Sequence, residues 1–232
     1  MRGKPEQLDS DNPDILAAYQ AETNGDYLEA LEHYKRALEK DPSLGIVFKH
    51  CGNVYYRMGE LDEAVNYLEK SVELLPGFPT ARFELGLAYY RQARITEAIA
   101  ALKKVIEIDE DYIIAYYWLG ILYYHYGHLE DARRNYKIVT ERKPNFTIAN
   151  YHLGVCNIRL GCYEEAVGNF NEVLNKAPDS AAAFALLGEA YLNLEKRYEA
   201  RTAFEQALKL DPEDRTAKRG LEMVTDFNDV IL

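Results

Sequence analysis

Residues 113–146 read IIAYYWLGILYYHYGHLEDARRNYKIVTERKPNF. The stretch holds two helical periodicities with a short break between them. Gly127 stands in the break, where a left-handed residue can end a first helix. Pro144 ends the second, because proline has no amide donor and clashes with the preceding turn. Gly120 and Ala132 are small, so two helix axes can approach closely there. Tyr136 is large and fills the space beside them.

Working outward, the same landmarks return every 34 residues. Pro42, Pro76, Pro144, Pro178 and Pro212 fall on one ladder, and Glu110 occupies the missing rung. The units are 11–44, 45–78, 79–112, 113–146, 147–180 and 181–214, without an insertion. Position eight carries Ala18, Gly52, Gly86, Gly120, Gly154 and Gly188. Position twenty is always alanine, from Ala30 to Ala200, and position twenty-four carries Tyr34, Leu68, Leu102, Tyr136, Phe170 and Phe204. One such hairpin cannot bury its own apolar face, whereas stacked neighbours bury it jointly.

The pattern resembles the tetratricopeptide repeat family. Leu119-Gly120, Tyr123, Ala132, Tyr136 and Pro144 match the family's landmarks in the fourth unit, and Leu85-Gly86, Tyr89, Ala98 and Leu102 match them in the third. The match covers residues 11–214. The resemblance implies an all-α, right-handed superhelical solenoid of antiparallel helix-turn-helix repeats. Departures are local. Glu110 in place of proline predicts a softer break between units three and four. Ala93 and Glu195 stand where the turn glycine is usual. Asp14, Ala17 and Ala21 predict a thinly packed, frayed first helix. Residues 1–10 are polar and aperiodic, so they read as a disordered segment. Residues 215–232 read as a capping helix with Ala217, Leu221, Val224 and Phe227 inward and Lys218, Arg219, Glu222 and Asp226 outward; the final Val230-Ile231-Leu232 has no assigned role.

Composition excludes several functions. Lys and Arg total 27 against 38 Asp and Glu, a net charge of −11. That disfavours duplex nucleic acid and anionic membrane surfaces. The longest stretch free of Asp, Glu, Lys and Arg, Tyr112 to Leu129, is about two residues short of a typical span and carries two His and several Tyr. Direct membrane insertion is therefore not expected, and the start Met1-Arg2-Gly3-Lys4 lacks the apolar run of a signal peptide. These features point to a soluble, cytoplasmic chain. Three cysteines give neither a disulfide framework nor a zinc spacing.

Chemistry-bearing motifs are scarce. No phosphate loop, Gly-x-Ser-x-Gly or His-Glu-x-x-His occurs. His152 and Cys156 have metal-ligand spacing on one helix, but no third ligand accompanies them. His125 and His128 are separated by the turn at Gly127. Cys51 falls at a packing position, and Cys162 falls in a turn as an exposed thiol. The reading is a non-enzyme with no cofactor and no metal.

The resemblance implies that first helices line a concave face, reached from positions two, five, six, nine, twelve and thirteen. Units three to five place Phe83, Leu87, Tyr90, Ile114, Tyr117, Ile121, Tyr124, Ile148, Tyr151, Val155 and Ile158 there. Trp118 and His125 join them, and Arg57, Arg91 and Arg159 recur along one border. The first helix of unit four is apolar nearly all round, which predicts burial on every side. Tyrosine and tryptophan combine apolar area with a polar tip and suit recognition. The expectation is an adaptor or scaffold that holds a partner's peptide segment, one with bulky apolar and some acidic residues. Two readings stand beside it: an aromatic lining closed by its own packing, and a self-assembly module whose groove receives a segment of a neighbouring copy. Some family members clamp the acidic C-terminal tail of chaperones. Lys49 and Asn53 match the first pair of that clamp, but Glu84, Ile114 and Trp118 replace the rest, which argues against such a tail.

Overall fold

The computed structural model describes residues 12–225. Among them there are thirteen α-helices and no strand. The chain forms two compact units, residues 1–115 and 116–232.

The first unit holds three helix hairpins: α1 (Pro13–Asn24) with α2 (Tyr27–Lys40), α3 (Gly45–Met58) with α4 (Leu61–Leu74), and α5 (Pro79–Arg91) with α6 (Ile95–Ile108). It ends on the first residues of α7 (Ile113–His125). The second unit continues from Tyr116 through α8 (Leu129–Arg142), α9 (Thr147–Leu160), α10 (Tyr163–Lys176), α11 (Ala181–Asn193), α12 (Arg197–Leu210) and α13 (Arg215–Thr225). No helix of the described residues is long and apolar enough to cross a membrane.

The small and large columns meet inside each hairpin. A Cβ on Gly52 would lie 2.6 Å from Leu68, and one on Gly86 3.1 Å from Leu102. In the second unit a Cβ on Gly120, Gly154 or Gly188 would come within 2.5, 2.8 or 2.6 Å of Tyr136, Phe170 or Phe204. The large partners are fully buried. Close packing at these points requires the missing side chain.

Helix ends follow local chemistry, with three departures from expectation. Gly25, Gly59, Gly127 and Gly161 adopt positive φ, and Ala93 and Glu195 take the same conformation at φ 59°. Those two turns are closed at a steric cost that glycine would avoid. The break at Glu110 is not softened: α6 stops at Ile108, and the Asp109 carboxylate accepts the Asp111 amide at 3.0 Å. An Asp-centred turn does there what proline does elsewhere. The first helix is also well anchored rather than frayed. The Asn12 side chain accepts the Asp14 and Ile15 amides at 3.0 and 3.4 Å, and Pro13 fills the first turn. Asp14 meets Lys40, and it lies 3.6 Å from both Arg36 and His33 of α2.

The capping helix α13 buries Ala217 and Val224, with Leu221 packed beside them. Gly220 lets it sit on the Phe204 ring, which a Cβ would meet at 2.2 Å. Lys218 and Glu222 face outward as expected. The readings made for residues 1–10, Asp226, Phe227 and Val230-Ile231-Leu232 lie outside the described residues.

Candidate partner-binding surface

The first-helix face of the second unit carries Ile121, Tyr124, Tyr151, Val155 and Ile158, all half-buried, and Ile148, which is 50% exposed. His125 and Arg159 are exposed at its margin. Tyr151, Val155 and Ile158 rest on the cluster around Phe170 and Leu187. They therefore show one side to solvent and one to the core. In the first unit, Phe83, Leu87 and Tyr90 are half-buried, Ile114 is 37% exposed, and Arg57 and Arg91 are exposed. The Phe83 ring packs on Tyr112 with centroids 5.3 Å apart.

Tyr117 departs from its expected role. It is 9% exposed, and its ring lies 5.1 Å edge-on from Phe146, 6.0 Å from Tyr136 and 5.9 Å from His152. Trp118, half-buried, meets it edge-on at 6.4 Å. Tyr117 is a packing residue, not a free anchor. The reason is local: Phe146, at the end of the α8–α9 linker, and His152, on α9, close over position five. Tyr151 stays partly accessible, touching His152 and Phe170 edge-on.

The arginine border also has structural work. Position thirteen of one unit meets position twelve of the unit before. Arg57 lies 3.8 Å from the Glu22 carboxylate. Arg91 stacks over the Tyr56 ring at 4.6 Å and donates to its carbonyl at 3.0 Å. Arg159 stacks over Tyr124 at 4.9 Å. These contacts tie successive hairpins together through cation–π and charge attraction, so the arginines are held before any partner arrives.

A second rule of the repeat was not visible in the sequence. Histidine at position six stacks on the tyrosine at position twenty-four of the preceding unit: His50 on Tyr34 at 5.6 Å and His152 on Tyr136 at 5.5 Å. The two seams differ in charge. At the first, buried Glu22 accepts the Tyr34 hydroxyl at 2.8 Å and lies 3.2 Å from His50. Burial pushes the Glu22 carboxyl up, but His50, Tyr34 and Arg57 outweigh it and the net shift is downward. Among the described residues no carboxylate pairs with His152: burial, with a smaller contribution from His125, holds its imidazole below the usual histidine range.

That difference has a sign. A histidine depressed in the folded state contributes stability above about pH 6.5, its unfolded value, and loses it as the pH falls toward the folded value. Urea unfolding followed by Trp118, the sole tryptophan, is expected to show a midpoint that drops below pH 6.5. His152→Phe should flatten that part of the profile. An unchanged profile would remove His152 as its cause.

Cys51 and Cys156 are fully buried, and burial pushes both thiols up to about 12. His128 stacks on Tyr126 at 5.7 Å. Cys162 is half-buried at the start of α10 rather than exposed. No group of three His, Cys, Asp or Glu among the described residues could hold a metal. Lys49 is buried, 6.0 Å from the Phe78 ring, so the one matching lysine of the chaperone clamp is withdrawn from the surface.

Arg219, read as an outer polar residue, is exposed, and with Met223 it lines a cavity at the end of the second unit. Extending the 34-residue count to α13 puts Arg219 and Met223 at positions five and nine of a seventh first helix, and that count was the available signal.

The geometry is that of all-α helix hairpins whose first helices carry half-buried aromatic and aliphatic side chains. Five models, each described as tetratricopeptide repeat, match residues 14–76, 52–113, 90–153, 149–180 and 181–214. The chain belongs to the tetratricopeptide repeat family, a family of protein-interaction scaffolds. The fold is similar to that of YrrB, described as a TPR protein with an unusual peptide-binding site, at 23% identity and a TM-score of 0.76, covering 82% of this chain and 97% of that one. It is similar to MamA at 28% identity and a TM-score of 0.67, covering 75% and 97%. It is also similar to the C-terminal part of a TPR repeat-containing protein from Cytophaga hutchinsonii, at 17% identity and a TM-score of 0.77, covering 92% and 85%. No curated protein sequence gives a significant match.

Proposed function

We propose that the chain is an adaptor that holds a partner's peptide segment against the first-helix face of its repeats. The observation that carries this reading is the state of Ile148, Tyr124, Tyr151 and Ile158. Their own packing covers only part of each, and Ile148 is half exposed. Apolar side chains left open at neighbouring repeat positions gain from a partner that removes them from water. YrrB, which shares the fold, supports the reading through the peptide-binding site its description names. Arg57, Arg91 and Arg159 keep exposed guanidinium edges and favour acidic groups at the margin, where charge sets register and encounter rate more than affinity.

The test is a pull-down from the source cells, followed by affinity measurement on the recovered segment. Tyr124→Ala with Ile148→Ala is expected to weaken it by about 2–4 kcal/mol, roughly thirtyfold to a thousandfold. Helicity should be retained. Full affinity in the folded double variant, or a recovered segment that lacks bulky apolar residues, would overturn the reading. A mass that rises with concentration, abolished by the same double variant, would identify the occupant as a second copy.

A further inference from the structure

A cavity of about 440 Å³ lies between α11, α12 and α13, lined by Glu189, Leu192, Asn193, Phe204, Arg215, Thr216, Arg219, Gly220 and Met223. One wall is apolar. Leu192 rests on the core, Gly220 packs directly on the buried Phe204 ring, and Met223 is 48% exposed. The other wall carries Arg215 and Arg219, one helical turn apart and both exposed. Neither guanidinium has an ion pair or hydrogen bond among the described residues, in a chain of net charge −11. Two nearby acids are engaged elsewhere: Glu213 pairs with Lys218 at 2.8 Å, and Asp214 accepts the Ala217 amide at 2.8 Å. Arg215 opens α13, where the helix dipole disfavours a cation.

We infer that this cavity is a second anchor point for a protein partner, taking an acidic side chain on Arg215 and Arg219 and a neighbouring bulky aliphatic or aromatic side chain against Leu192 and Met223. Charge complementarity selects the occupant. Two exposed guanidiniums one helical turn apart, without an ion pair among the described residues, favour a carboxylate, which they can meet with paired hydrogen bonds. The apolar wall selects against a small anion that brings no side chain. Glu189, on α11 across the cavity, repels a second carboxylate and so fixes which end of the segment enters. The site extends the adaptor reading, but it is separate in residues from the Tyr124 and Ile148 surface, so the two can fail independently.

The experiment is selection of random displayed peptides on the intact chain, with affinities then measured on synthetic copies. Enriched peptides should pair Asp or Glu with Leu, Met or Phe a few residues away. They should bind the Arg215→Gln/Arg219→Gln variant about tenfold to a hundredfold more weakly, bind less tightly as salt rises, and be unaffected by Tyr124→Ala. Both arginines are exposed, so circular dichroism of the variant should match the parent. Enrichment of peptides that bind the arginine variant equally well, or of peptides without a carboxylate, would overturn the assignment. So would the absence of enrichment. Loss on Tyr124→Ala alone would overturn it while leaving the first surface standing.

Discussion

Gly120→Leu is expected to destabilise the second unit by about 3 kcal/mol or more, at the upper end of what overpacking costs. A Cβ alone would stand 2.5 Å from Cε1 of Tyr136. That ring cannot swing aside. It is 1% exposed, tilted against Tyr117 at 6.0 Å and stacked on His152 at 5.5 Å. Relief would require α7 and α8 to move apart. The check is the urea midpoint read from Trp118, with Gly168→Ala as the control. Gly168 lies within α10 with nothing in reach of an added methyl group, so alanine there should gain about 0.5–1 kcal/mol from helix propensity. A Gly120→Leu protein as stable as its parent would mean that the small and large columns do not touch.

Tyr117→Ala is expected to cost about 3–5 kcal/mol, the range for removing a buried aromatic ring. Tyr124→Ala, one face round the same helix, should cost about 1 kcal/mol or less, because its ring is half-buried and its described ring partners, Arg159 and His125, are both exposed. Denaturation of the two single variants checks the pair. Equal losses would show that position twelve is as much core as position five, and the surface assigned to partners would shrink to Ile148 and its neighbours.

The fold was legible because its determinants are local and periodic. Gly120 facing Tyr136 could be read from a column of small residues and a column of large ones, since the spacing alone puts them on opposed helices. The site was only partly legible. Tyr117 occupies a position that the family's landmarks leave free, and its burial depends on Phe146, at the far end of the same unit, and on His152 from the next repeat. The spacing within one unit does not show that these two rings close over it. The arginine border was visible as a pattern, but its inward contacts were not: Arg91 on the Tyr56 carbonyl is a backbone contact that side-chain periodicity does not encode. The expected fraying of the first helix failed for a similar reason. Asn12, Asp14 and Glu22 supply capping and charge pairing where apolar packing is thin.

The most direct test of the adaptor reading is amide hydrogen exchange of the chain with and without its recovered partner segment. The account predicts added protection along α9 and the Tyr116–His125 part of α7, the first helices that carry Tyr124, Ile148 and Ile158, with α8 and α10 unchanged. Protection confined to α8 and α10, or to the turns between helices, would contradict it.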